Sequence, residues 1–281
     1  VAVAALIAAM FCFQFGAALA KGLFPSVGAA GATSLRMAWA SLMLLAVWRP
    51  WRMRIRAHEF RDITMYGLSM GCMNLCFYAS LQSIPLGIAV ALEFAGPLAL
   101  AMAASRRAVD FLWILMAALG LVALLPIGLA ARPLAMGGVA SALGAGLCWA
   151  VYIHYGRKAG AAHGGPIVAV GMMIGAAVIV PFGVLQAGAR LLSPTILPTA
   201  LGVALLSSAL PYSLELLAMP KLPTRTVGVL MSLDPALGAL SGMIFLGERL
   251  SWLQWAAIAC IMAASAGSAA GSRTAPQLLP D

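Results

Sequence analysis

The chain has 281 residues, of which 63% are hydrophobic and 9% charged, with a mean hydropathy of +1.00 and a net charge of +9. Soluble domains carry about 25% charged residues, so a water-soluble globular protein is excluded and an integral membrane protein is expected. The basic residues sit in short connections between apolar runs, without aromatic interleaving or a glycine-rich phosphate loop, which excludes nucleic acid as the partner.

Counting runs of about 20 apolar residues predicts ten spans. They cover roughly 2–21, 29–48, 62–82, 86–105, 111–129, 136–155, 166–186, 196–217, 226–246 and 252–270. The first run contains Gln14 and lacks a basic leader, so it reads as a span and not as a signal peptide. The tail 272–281 is polar and proline-bearing, and is expected to be disordered. The lipid bilayer is therefore the chain's solvent, and the expected fold class is all-α.

Arg49, Arg52, Arg54, Arg56 and Arg61 share one connection, which the positive-inside rule places in the cytoplasm. Arg106, Arg107, Arg157, Lys158, Lys221, Arg225 and Arg273 then fall on the same side, making twelve. Lys21, Arg132, Arg190 and Arg249 make four on the other. Both termini are expected in the cytoplasm.

Shifting the chain by 138 residues lays Pro85 on Pro223, Pro97 on Pro235 and Asp110 on Glu248. The spacing predicts two five-helix repeats, 1–131 and 132–271. Five spans per half invert the second repeat relative to the first, which places a site near the midplane between them.

Ionisable groups inside spans mark that site by default. Glu93 lies mid-span, where it is expected to exchange a proton or bind an ammonium; a neutral, hydrogen-bonded Glu is the structural alternative. Asp234 precedes Pro235 at matching depth, which suggests a locally opened helix beside a carboxylate. Glu215 is expected as a relay or ligand, or as a surface partner of Lys221 or Arg225. Arg36 lies about eight residues into its span and is a natural partner for a buried acid or a substrate carboxylate. Lys21, near a span end, is expected to snorkel.

Asn74, Tyr78, Gln14, Tyr152 and Tyr212 are neutral candidates to line a path, with interhelix hydrogen bonds as the alternative. Asn74 and Tyr78 are four apart and share a helix face. Trp149 and Tyr152 suggest an aromatic wall or core packing. Asp110 and Glu248 follow turns and are expected to cap the helices after them. Glycines four apart, such as Gly67 and Gly71 or Gly171 and Gly175, permit close helix contacts. Cys12, Cys72, Cys76, Cys148 and Cys260 lie within spans as small hydrophobes. His58, His154 and His163 show no metal spacing, so no metal or cofactor is expected.

The run Gly242-Met-Ile-Phe-Leu-Gly-Glu-Arg-Leu-Ser-Trp-Leu-Gln-Trp resembles the end of the EamA family, in the drug/metabolite transporter superfamily. Phe15-Gly16, Lys21 and Arg36 resemble its opening. Pro85-Leu-Gly-Ile-Ala-Val-Ala-Leu-Glu-Phe-Ala-Gly-Pro, Leu210-Pro-Tyr-Ser-Leu-Glu and Leu222-Pro-Thr-Arg-Thr resemble members that export threonine and homoserine. The resemblance implies ten spans, a bacterial inner-membrane location and proton-driven export of small amino acids, so protons are expected as a second partner. Another small cargo within the family stays open. A membrane enzyme is disfavoured, because no clustered nucleophile or metal pattern appears.

Overall fold

The computed structural model describes residues 1–53, 55–103, 108–124 and 135–271. The expected tail at 272–281 with Arg273, the turn holding Arg106 and Arg107, Arg54, Arg132 and the boundary expected at 131–132 lie outside the described residues. So do the side chains of Asp110, His163 and Arg225.

Among the described residues the regular structure is entirely helical. The longer helices are α1 (Ala2–Lys21), α2 (Phe24–Trp48), α3 (Phe60–Ser80), α4 (Leu86–Glu93), α5 (Ala95–Ala103), α6 (Ala108–Leu124) and α7 (Met136–His163). They continue with α8 (Pro166–Ala187), α9 (Leu197–Ala204), α10 (Leu210–Ala218), α11 (Thr224–Met231), α12 (Asp234–Leu246) and α13 (Trp252–Gly271). Seven helical segments of the described residues are long and apolar enough to cross a bilayer, and Leu86–Leu100 and Phe111–Leu124 are shorter apolar helices. Helix α3 has 21 residues but is more polar, carrying Arg61, Asp62, Ser69 and Asn74.

The polarity of the fold is that of a protein in lipid. Phe111, Leu112, Leu115 and Leu119 of α6 and Phe182 and Leu185 of α8 face outward. Gln14, Arg36, Asn74, Glu93 and Asp234 are buried. A soluble fold has the reverse arrangement. This is a multi-pass membrane protein.

Several expected spans are interrupted, each for a covalent reason. Pro97 has no N–H for the carbonyl of Glu93 four residues back, and the helix breaks at Phe94 between α4 and α5. Pro235 stands in the same relation to Met231, and Ser232–Leu233 separate α11 from α12. Between α9 and α10 a π-helical turn, Leu205–Ala209, precedes Pro211. The second span was expected from residue 29; the helix begins at Phe24 but is broken at Gly28, whose φ of 71° suits glycine. Gln186 of α8 then caps the restarted helix, its Oε1 accepting the N–H groups of Ala30 at 2.8 Å and Gly31 at 3.2 Å.

Helix α2 packs along α8, α4 against α12, and α6 against α13. Helix α3 lies on α7 as α1 lies on α10. Small residues carry the close crossings: a Cβ on Gly71 of α3 would stand 3.0 Å from the Cα of Gly175 on α8.

Candidate functional site

Helices α1, α2, α3, α4, α7, α8, α10, α11 and α12 line a cavity of about 590 Å³, within the size range of small-molecule sites. The charged side chains expected from the sequence, Arg36, Glu93, Glu215 and Asp234, all line it. So do the neutral candidates Gln14, Asn74, Tyr78, Tyr152 and Tyr212. The cavity extends toward Arg157 and Gly164 at the end of α7 and Leu222 between α10 and α11.

The helix breaks set the two deep acids. Glu93 is the last residue of α4 and is 8% exposed. Helix α7 passes over this break, where Trp149 meets Phe94 edge-on at 5.5 Å. Trp149 also lines the cavity, so both of its expected roles are combined. Asp234 is the first residue of α12, where the helix dipole favours a carboxylate. Gln14 of α1 stands beside its carboxyl. Asp234 Oδ1 has no hydrogen-bond partner.

Arg36 is buried and, among the described residues, makes no salt bridge. Its Nη1 donates to the Ser207 carbonyl at 3.0 Å and to Ser208 Oγ at 2.8 Å. Its Nη2 donates to Asn74 Oδ1, and its guanidinium lies 4.8 Å from the centre of the Tyr78 ring. Its Nε has no partner. Among the described residues no carboxylate pairs with it, so the expected partnership with a buried acid is not formed. Its hydrogen-bond partners are neutral oxygens and the ring beside it is neutral too, so donors are satisfied without an ion pair.

A second polar cluster lies nearer the mouth. Tyr66 donates its hydroxyl to Tyr152 at 3.3 Å, and the rings stack at 4.8 Å. Tyr212 meets Phe13 edge-on at 5.0 Å. Glu215 makes no ion pair among the described residues, and Lys221 is exposed, so the expected surface pairing between them is absent.

Among the polar residues, Tyr66 and Ser207 of the wall and Ser208 behind it escaped the sequence reading. The available signal was Pro211, which cannot bond the Ser207 carbonyl four residues back.

One expected role is extended and one corrected. Lys21 was expected only to snorkel, and it is paired as well: its Nζ lies 2.7 Å from Glu248 Oε1 and 3.3 Å from the Ile84 carbonyl. Glu248 does not cap α13. There Ser251 and Gln254 already form a reciprocal capping box, at 2.8 Å and 3.2 Å. The left-handed turn at Gly247 leaves Glu248 against α4, where Oε2 accepts the Leu86 N–H at 2.8 Å. None of these contacts lines the cavity.

An apolar exterior, interrupted spans and a cavity between helices into which charged side chains project are the features of a membrane transporter. Residues 136–269 match the EamA-like transporter family. The chain is 55% identical to the threonine/homoserine exporter RhtA of Salmonella typhimurium strain SL1344, over 97% of this chain and 92% of that protein. It is 54% identical to the threonine/homoserine exporter RhtA of Escherichia coli K12, over 94% and 89% respectively. A solved crystal structure with 18% identity shares the fold, with a TM-score of 0.65 over 95% of both chains. The chain belongs to the EamA-like transporter family, and it is a transporter and not an enzyme.

Proposed function

We propose that this protein exports small amino acids such as threonine and homoserine across the bacterial inner membrane, by alternating access coupled to protons. One observation carries the reading. A guanidinium outside any salt bridge and three carboxylates line a single cavity, which is the complement of a zwitterion. Relatives 54–55% identical carry the name threonine/homoserine exporter.

The architecture proposed is ten spans in two inverted repeats, 1–131 and 132–271. Its support is an exchange symmetry in the packing. The pairs α2–α8, α4–α12 and α6–α13 join equivalent spans, and α3–α7 is matched by α1–α10. The two proline breaks also correspond, Glu93 falling on Met231 and Pro97 on Pro235 after the 138-residue shift. Both termini are assigned to the cytoplasm from the basic residues. The cavity mouth, beside Arg157 and Leu222, then faces the cytoplasm, and the Lys21–Glu248 contact lies at the periplasmic end.

In this cycle Arg36 takes the substrate carboxylate. Glu93 or Asp234 takes its ammonium, with Gln14, Asn74, Tyr78, Tyr152, Tyr212 and Glu215 completing the path. The halves rock, and a periplasmic proton displaces the ammonium from the acid. The protonated carrier returns and releases the proton inside. Competition of proton and substrate for one carboxylate supplies the coupling.

Counterflow of labelled threonine and homoserine in proteoliposomes, with and without an imposed pH gradient, tests the proposal. Gradient-driven transport is expected. Counterflow that ignores the gradient keeps the cargo and removes the proton coupling. Folded protein that moves neither amino acid rejects the cargo.

A further inference from the structure

The deep end of the cavity is organised by the π-helical turn Leu205–Ala209. Such turns are rare and cluster at functional sites. Here the cause and the use are both visible. Pro211 cannot donate to the Ser207 carbonyl, and that carbonyl accepts Arg36 Nη1 at 3.0 Å. Ser208 brings its hydroxyl to the same Nη1 at 2.8 Å. The opposite edge is fixed as well: Nη2 donates to Asn74, whose Nδ2 is in turn tied to the Met70 carbonyl at 2.8 Å. Tyr78 covers one face of the guanidinium, and Nε keeps no partner.

The two serines of the turn are not equivalent. Ser207 donates its hydroxyl to the Val203 carbonyl at 2.7 Å, within its own helix. It reaches Arg36 only through its main chain. Ser208 reaches Arg36 through its side chain. Both are buried, and α1 seals the turn at Gly16, where a Cβ would stand 2.7 Å from the Ser207 Cα.

The geometry points to Ser208, on its π turn, as a positioning residue that aims the Arg36 guanidinium at the substrate carboxylate. This rests on the reading of Arg36 as the carboxylate anchor. An arginine side chain has several free torsions, and a carboxylate needs its planar fork in one orientation. The Ser207 carbonyl, Ser208 and Asn74 fix that orientation from three points with neutral groups. The positive charge is therefore kept for a ligand. Ser208 acts only through Arg36 and touches no substrate.

The experiment compares labelled threonine transport by wild type, Ser208→Ala, Ser207→Ala and Ser208→Thr in proteoliposomes. Loss of an interhelix hydrogen bond in a membrane protein predicts a KM raised about 3- to 15-fold in Ser208→Ala. The maximal rate stays within about twofold, as for a loss of binding common to ground and transition states. Ser207→Ala, which keeps the carbonyl, shifts KM less, and Ser208→Thr, which keeps the hydroxyl, restores it. Should Ser208→Ala fail to fold, Ser208→Cys, with its weak acceptor, carries the same comparison. An unchanged KM in the Ser208 variant, or equal shifts for both serines, overturns the positioning role. A folded wild type that transports neither threonine nor homoserine rejects the cargo on which the reading of Arg36 rests, and is recognised before any variant is measured.

Discussion

Lys21 and Glu248 are separated by 227 residues in the chain and by 2.7 Å in space. Their contact joins the end of α1 to the turn after α12. Through the second carboxylate oxygen it also holds the first N–H of α4. The side chains are 22% and 13% exposed, so the pair is only partly screened by solvent. Glu248→Ala removes an ion pair and a helix cap together and should lower stability by about 1–3 kcal/mol. Glu248→Gln keeps an acceptor for Leu86 and should cost less. Thermal unfolding in detergent, followed by loss of the monodisperse peak, ranks the two. Equal midpoints would show that the cap contributes nothing.

Arg36→Lys tests the guanidinium. Lysine keeps the charge but cannot reach the Ser207 carbonyl, Ser208 and Asn74 with one planar group. Threonine transport should fall at least about tenfold, as for loss of a charge-assisted bidentate contact. Uptake by proteoliposomes at matched protein density measures it, and transport at the wild-type level would remove Arg36 from the site.

The acids separate cargo from coupling. Glu93→Gln removes a titrating group while keeping its shape and hydrogen-bonding capacity. Accumulation driven by an inside-acid gradient, the direction antiport requires, should disappear, while counterflow without a gradient persists. Asp234→Asn in parallel identifies which carboxylate carries the proton. A Glu93→Gln protein that still follows the gradient assigns the coupling elsewhere.

The proline breaks trade stability for an open backbone. Pro97→Ala returns an N–H to the Glu93 carbonyl and lets α4 and α5 become one helix. The variant should match or exceed wild type in thermal stability while transporting more slowly. Reduced stability with unchanged transport would mean that the break serves packing.

Gly16 faces the Cβ and main chain of Ser207 in the π turn, none of which can swing away by a rotamer change. Gly16→Ala should therefore destabilise the protein by about 1–3 kcal/mol, the cost of overpacking. It should also impair transport through the displaced Ser207 and Ser208. Thermal unfolding and threonine uptake together check it, and a variant equal to wild type in both would show that α1 can move aside.

Much of the cavity was legible because a bilayer sorts residues more strictly than water does. A polar side chain facing lipid is costly, so Gln14, Asn74, Glu93 and Asp234 are driven inward whatever the details of packing. The breaks at Phe94 and Ser232–Leu233 were partly legible for another local reason: Pro97 and Pro235 remove particular hydrogen bonds. Pro211 marked the Ser207 carbonyl in the same way, but Ser208 left no such mark. Serine is common in membrane helices, and only the helix standing opposite makes one of them a partner of arginine.

The sequence by itself determined the apolar exterior, the ionisable interior, the places where helices open and the family, since these follow from covalent structure and from transfer free energies. The tertiary structure alone decided the partnerships. It gave Arg36 neutral oxygens in place of an acid, turned Glu248 from its own helix to the start of α4, and drew Lys21 to it. Such pairings join residues far apart in the chain. They depend on how helices cross and rotate against one another, which no local pattern encodes.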